Sequence, residues 1–190
     1  MNNNKNIEIR KTQHVTTEGR KVSGYAVLFN SQSEDLGFYE IIEPQAITEE
    51  TIKQSDVFAK FNHDDDKILA RSKFGNGSLS LKLDEKGLLY EFQAPNNIWG
   101  DTLLEHIKRG EIDASSFAFT VSQGGDKWEK DGNGTLYRTI SKIDQLYDVS
   151  PVFQPAYSNT TCTARNMAQA KKMLEINEKL DEIEAEILLM

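Results

Sequence analysis

Cysteine is almost missing from this chain: Cys162 stands alone among 190 residues. One thiol excludes an internal disulfide framework and makes a reducing compartment the expectation. It lies in "NTTCTAR", with no histidine near it in sequence, and reads as a buried or incidental thiol. Long apolar runs are missing too. No stretch approaches the ~18 residues that a membrane helix needs, and the opening "MNNNKNIEIRK" has no apolar signal-peptide core, so cytosolic synthesis without membrane insertion is expected. Positive charge is in deficit, with a formal net charge of -8 and no basic block. That balance argues against general binding to nucleic acid or to an anionic membrane surface. The HExxH, CxxC and EF-hand patterns are absent, so no cofactor or metal is expected.

What is present is ordinary globular material, 38% hydrophobic and 27% charged, enough for one main domain. Most of it reads as short strands. "KVSGYAVLFN", "GFYEIIE", "DVFAKF", "SLSLKLD", "GLLYEFQA", "SSFAFTVS" and "TLYRTISKIDQLYDV" are β-branched, leucine or aromatic runs bounded by Gly, Asn, Asp or Pro, which predicts a barrel or sandwich. Leu79, Leu81 and Leu83 alternate with polar residues, the period of a strand with one wet face. "NIWGDTLLEHIKRGEI" puts Ile98, Leu103, Leu104 and Ile107 near one helical face, with a helix end near Arg109 and a glycine C-cap. His106 is expected on the wet flank of that helix. A shorter helix is expected in "PQAITEETIKQS", with Thr48 as N-cap.

The last 25 residues change character. Met173, Ile176, Leu180, Ile183, Ile187 and Met190 step by three and four, and from Lys171 onward six acids face three lysines. This is an amphipathic helix, either half of a coiled coil or a helix packed back on its own domain. The expected division is therefore a domain over 1–165 and a tail over 166–190.

"FNHDDDKILA" sets His63 beside Asp64, Asp65 and Asp66. A hard cation could use those acids, but adjacent residues seldom converge on one centre. A hairpin turn satisfied by Asn and Asp is the plainer reading. The third is a general base, since histidine titrates near ~6.5, provided a hydroxyl and an orienting group reach it. "GEIDASSFAFTVS" offers the hydroxyl. In a strand, Ser115, Phe117, Phe119 and Val121 share one face and Ser116, Ala118 and Thr120 the other. The bulky face belongs to the core, leaving Ser116 on an open shelf. "QLYDVSPVFQPAY" offers the orienter, Asp148, expected at a strand end near the interior; its alternative is to cap a turn before Pro151.

Six stretches taken in order, "GYAVLFN", "EIIEPQAI", "VFAKFNHDDDKILAR", "LSLKLDEKGLLYEFQAP", "LLEHIKRGEIDASSFAF" and "LYDVSPVFQPAYSNTTCTAR", resemble the prohead proteases of tailed bacteriophages, distant relatives of herpesvirus assemblin. The resemblance covers about Val22 to Arg165. It implies a mainly β, α+β fold: a compact closed or partly open β-barrel of about seven strands, assemblin-like, with flanking helices and the C-terminal amphipathic helix. The family's "NHD" element falls on Asn62, His63 and Asp64, and its serine before "F-x-F" falls on Ser116. Its acid before "VS" falls on Asp148. Neither His14 nor His106 follows the serine, so an assemblin-like second histidine is not available in that place. Ala114 and Ser115 stand where the family has a glycine and a bulkier residue, so two adjacent hydroxyls compete, and the strand faces select Ser116.

The activity implied is serine endopeptidase action in capsid maturation. Its expected partners are the major capsid protein and scaffold, together with the chain itself, inside the assembling procapsid in the host cytoplasm. The terminal seam would bind scaffold or build a homo-oligomer. Arg71 is a candidate oxyanion donor, against its plain reading as an exposed strand arginine. The rival from another class is a non-catalytic β-barrel module that binds scaffold through the terminal helix.

Overall fold

The computed structural model describes residues 7–13 and 15–153, together with Lys172, Leu174 and Lys179. Among the described residues the elements run β1 (Glu8–Gln13), β2 (Val15–Glu18), β3 (Lys21–Leu28), β4 (Tyr39–Ile42), α1 (Glu49–Gln54), β5 (Asp56–Lys60), β6 (Ile68–Lys73), β7 (Asn76–Gly77) and β8 (Leu79–Leu83). They continue β9 (Gly87–Gln93), α2 (Ile98–Lys108), β10 (Ala114–Val121), β11 (Asp126–Lys130), β12 (Leu136–Ile140) and β13 (Ile143–Val152).

The strands form three sheets rather than a closed barrel. A six-stranded sheet has the order β1-β10-β13-β5-β6-β7, a four-stranded sheet β2-β3-β9-β8 and a three-stranded sheet β11-β12-β4. The mainly β expectation holds; of the closed or partly open barrel of about seven strands, the closed form and the strand count are corrected, and the causes are local. "TLYRTISKIDQLYDV" looks like one apolar run, but it splits into β12 and β13, which join different sheets. β1, β7 and β11 ("EIRKTQ", "NG" and "DKWEK") are too polar or too short to show as apolar runs. Register shifts at Ala118/Phe119 and Thr120/Val121 in the β10–β13 pair, and at Ala59/Lys60 in the β5–β6 pair, bend the large sheet as bulges do.

The core lies between the large sheet and the four-stranded one. Phe117, Phe119, Leu146, Val149 and Val57 join Val22, Val27, Leu88 and Tyr90 in one buried cluster, each large side chain contributing ~1.5–3 kcal/mol through removal from water. α2 begins where the Asn97 side chain accepts from the Trp99 and Gly100 N–H groups at 3.1 and 3.0 Å, an N-cap. Gly100 is required, because a Cβ there would stand 2.0 Å from the Pro95 carbonyl oxygen. The helix stops at Gly110, in the left-handed region at φ 71°, as its sequence predicts. α1 starts on the expected Thr48, whose side chain exchanges hydrogen bonds with Thr51.

The seam residues Met173, Ile176, Leu180, Ile183, Ile187 and Met190, like Cys162 and His14, lie outside the described residues. Leu174 is described, and packs against a small cluster of Phe38, Trp128 and Leu136.

Candidate active site

β10 runs through the large sheet between β1 and β13, with Ser116 opposite Lys11 on one side and Ser150 on the other. Period-2 alternation sends its two serines to opposite faces. Ser115 enters the core, where its hydroxyl lies 2.8 Å from the Tyr90 phenol. Burial pushes that phenol's pKa up, so it stays protonated as a neutral hydrogen-bonding partner. A Cβ on Gly24 would come within 2.6 Å of Ser115 Oγ, so the glycine of "GYAVLFN" makes room for this pair.

Ser116 faces the other way, toward the β5–β6 turn. Asn62 and His63 both sit in the left-handed region there, at φ 53° and 61°, a conformation costing ~1–2 kcal/mol for a residue with a Cβ. The turn is held by the Phe61 N–H to Lys67 O and Asp64 N–H to Phe61 O bonds, and is pinned to β13 by the Asn62 N–H to Pro151 O bond at 3.1 Å. His63 Nε2 lies 2.7 Å from Ser116 Oγ. Its Nδ1 lies 2.8 Å from Asp148 Oδ1. That second contact is within range but off the hydrogen-bond axis, and Nδ1 is buried with no aligned acceptor. Loose alignment is common in catalytic groups before substrate binds, and the short separation is the better guide to what this pair can do.

The three residues singled out in sequence, Ser116, His63 and Asp148, are therefore brought together, and Ser115 is kept apart from them. Two details differ from expectation. The shelf around Ser116 is not open: Ser116, Ala118 and Thr120 are 0%, 3% and 4% exposed, because β1 and β13 flank them and His63 lies across Ser116. Asp148 is not at a strand end and caps no turn, since β13 continues through Pro151 to Val152. β-Strand can continue through proline where no ladder donor is required.

Three further groups complete the surroundings. Ser116 Oγ donates to the Arg10 carbonyl at 2.7 Å. The Ser150 hydroxyl donates to Asp148 Oδ1 at 3.0 Å. Lys60 Nζ lies 3.6 Å from Asp148 Oδ2 and 2.6 Å from Asp65. None was singled out in sequence, yet Ser150 carries a readable signal: in "DVS" it falls two residues after the acid and so on the same strand face.

The acids after His63 take separate partners. Asp64 pairs with Lys67 at 2.7 Å and Asp65 with Lys60 at 2.6 Å, so they spread outward instead of converging, and no cluster of three or more metal-ligating side chains occurs among the described residues. Arg71 forks onto Asp56, its Nε at 2.7 Å, and lies over the Phe58 ring at 4.7 Å. It is committed to that pair. His106 pairs with Glu111 and packs against Phe61 and Phe153 with centroids 5.9 and 5.4 Å away, so it props the turn's base instead of facing water on all sides.

A serine, an imidazole and a carboxylate in this order on a β scaffold direct the comparison toward proteases. The family model described as "Caudovirus prohead serine protease" matches residues 5–173. The chain belongs to that family. Among solved structures, the capsid assembly protease gp21 of bacteriophage T4 is similar, with a TM-score of 0.53 at 12% identity, covering 80% of this chain and 100% of that one. At that identity the likeness speaks for the fold alone. A search of curated proteins finds no match. The prohead protease family supplies the setting in which the Ser116–His63–Asp148 cluster is to be read, and the neighbouring hydroxyl of Ser115 is taken up by its hydrogen bond to Tyr90.

Proposed function

We propose that this member of the prohead protease family is a serine endopeptidase of capsid maturation, with Ser116 as nucleophile, His63 as general base and acid, and Asp148 as the group that orients the imidazole. The observation that carries the reading is the line Ser116 Oγ, His63, Asp148, with successive separations of 2.7 and 2.8 Å. The substrates are scaffold or a scaffold-like segment of the major capsid protein, and the chain itself. The setting is the interior of the assembling prohead.

Ser116 Oγ has one proton and two partners at 2.7 Å, the Arg10 carbonyl and His63 Nε2. While the hydroxyl donates to Arg10, Nε2 must supply the other hydrogen. For catalysis the hydroxyl turns to Nε2, and the ring proton moves to Nδ1 beside Asp148. Ser116 Oγ then attacks the scissile carbonyl as its proton passes to Nε2, and Asp148 stabilises the imidazolium. When the C–N bond breaks, Nε2 returns the proton to the departing amine. Water repeats the sequence on the acyl-enzyme and restores the serine. Because Ser116 is fully buried, a peptide carbonyl reaches it only after a covering group moves. His63, at 21% side-chain exposure, is the most accessible of the three.

The tail over 166–190 is the first cleavage product we expect from self-processing. Parent protein and Ser116→Ala, followed by intact mass over time with and without a chelator, test the reading. Terminal fragments from the parent alone, indifferent to chelator, support it. Fragments from both proteins, or their loss with chelator, overturn it.

A further inference from the structure

Asp148 is held by a second serine whose position has no counterpart in a three-residue mechanism. Ser150 is fully buried and stands directly across the strand pair from Ser116. Its hydrogen-bond directions are fixed by its partners. The Lys60 backbone N–H can only donate, and reaches Ser150 Oγ at 3.3 Å. The Asp148 carboxylate, when ionised, can only accept, and receives the Ser150 proton at 3.0 Å. The hydroxyl therefore relays one directed chain from the backbone of β5 to the oxygen that faces His63 Nδ1.

The location explains why a side chain is used. β5 and β13 run parallel and are registered at a single pair, Phe58 and Asp148. Beyond it the β5–β13 ladder has no further registered pair, the bulge of the neighbouring β5–β6 pair falling on β6, where Ala59 and Lys60 face Ala70 and Ile68, and a backbone N–H past the end of a ladder needs an acceptor elsewhere. Ser150 provides it. From that point the chain reaches His63 in three residues, tied again at Asn62 N–H to Pro151 O. The Lys60–His63 segment is thus pinned to β13 by Ser150 and Pro151, and Asp148 meets the imidazole itself.

We infer that Ser150 is a positioning residue, whose single hydroxyl fixes the Asp148 carboxylate and the start of the His63 turn relative to each other. It touches neither substrate nor reacting atoms and acts through Asp148. This rests on the reading of Ser116, His63 and Asp148 given above. A merely structural serine would contribute to stability without depending on the acid.

The test reads nucleophile reactivity directly. A fluorophosphonate forms a bond from Ser116 Oγ to phosphorus as the P–F bond breaks, fluoride leaving and the serine proton passing to His63; intact mass follows the adduct. Ser150→Ala is expected to lower the second-order labelling rate about tenfold, the scale of one lost hydrogen bond, while Ser150→Thr keeps most of it. In an Asp148→Asn background the same Ser150→Ala change is expected to alter the residual rate less than twofold, because effects acting through one group do not add. Parent-like labelling of Ser150→Ala, or an equal loss with and without Asp148, overturns the inference. Should Ser150→Ala fail to fold, Ser150→Cys, near-isosteric with a weak donor, is expected to show the slowed labelling, and a parent-like rate in it is equally contrary. Ser116→Ala separates the two levels: if it labels like the parent, or the parent does not label, the protease reading fails and this inference falls with it.

Discussion

Two polar clusters lie on opposite faces of the large sheet, and Arg10 belongs to both. Its guanidinium enters the first. There Nε reaches Glu40 at 2.6 Å and Nη2 reaches Glu8 at 2.7 Å, while Arg138 crosses to Glu8 at 2.9 Å, Glu40 at 3.0 Å and Asp126 at 2.7 Å. The two arginines also lie over the Phe119 and Trp128 rings, at 5.7 and 5.2 Å. The Arg10 carbonyl enters the second cluster, against Ser116. Burial alone does not distinguish the two, since Glu8, Glu40 and Arg138 are as hidden as Ser116 and Asp148.

What distinguishes them is completeness. In the ionic cluster each side chain meets opposite charge with several bonds, so removal of any member leaves a charge without compensation. In the serine cluster the hydroxyl has one proton for two partners, a ring nitrogen is buried off-axis, and the histidine holds a left-handed backbone. An arrangement with spare partners and local strain can change state cheaply. A saturated one resists change, which suits a joint between the large sheet and the β11-β12-β4 sheet.

The sharpest way to break the comparison is to remove the base. His63→Asn, which tolerates a positive φ, is expected to slow fluorophosphonate labelling by ~10³-fold or more while leaving the thermal midpoint within a degree or two. A collapse in the midpoint would make the turn structural. Next comes Arg138→Met. Breaking a buried ion cluster costs ~3–5 kcal/mol, read as a lowered denaturation midpoint, with labelling per folded molecule expected within about twofold of the parent. Equal loss of reactivity would join the two clusters into one unit.

Gly24→Ala probes the face that separates the two serines. A Cβ there crowds Ser115 Oγ and the Tyr90 hydroxyl at 2.6 and 2.8 Å, so a loss of ~1–3 kcal/mol is expected from overpacking, again with the label still on Ser116. The smallest effect is acid sensitivity. Burial pushes the Glu8 carboxyl up, but hydrogen bonds and charge from Arg138 and Arg10 prevail and hold it below its ordinary 4.5. A depressed folded pKa stabilises above 4.5, and that contribution is lost as pH falls through the lower folded value. Unfolding titrations should therefore show stability declining below pH 4.5, and Glu8→Gln should flatten that decline.

The serine cluster was more legible in sequence than the ionic one. The face of Ser116 followed from strand alternation with Phe117 and Phe119, α2 from its apolar spacing and C-terminal glycine, and α1 from Thr48. His63 and Asp148 gained weight only through ordered resemblance, because a histidine beside three aspartates is equally good turn chemistry. Glu8, Arg10, Glu40 and Arg138 left no local sign: they are separated by up to 130 residues, and each reads alone as a solvated charge on a strand. The number of strands is hidden in the sequence for a related reason. A strand is defined by its neighbours, so polar "DKWEK" pairs with β12 as firmly as an apolar run would.

Peptide mapping of the fluorophosphonate adduct tests the central claim most directly. After brief labelling of the parent protein and digestion, the account predicts one modified residue, Ser116, with no adduct in His63→Asn over the same interval. An adduct on Ser115, or labelling that persists in Ser116→Ala, would contradict it.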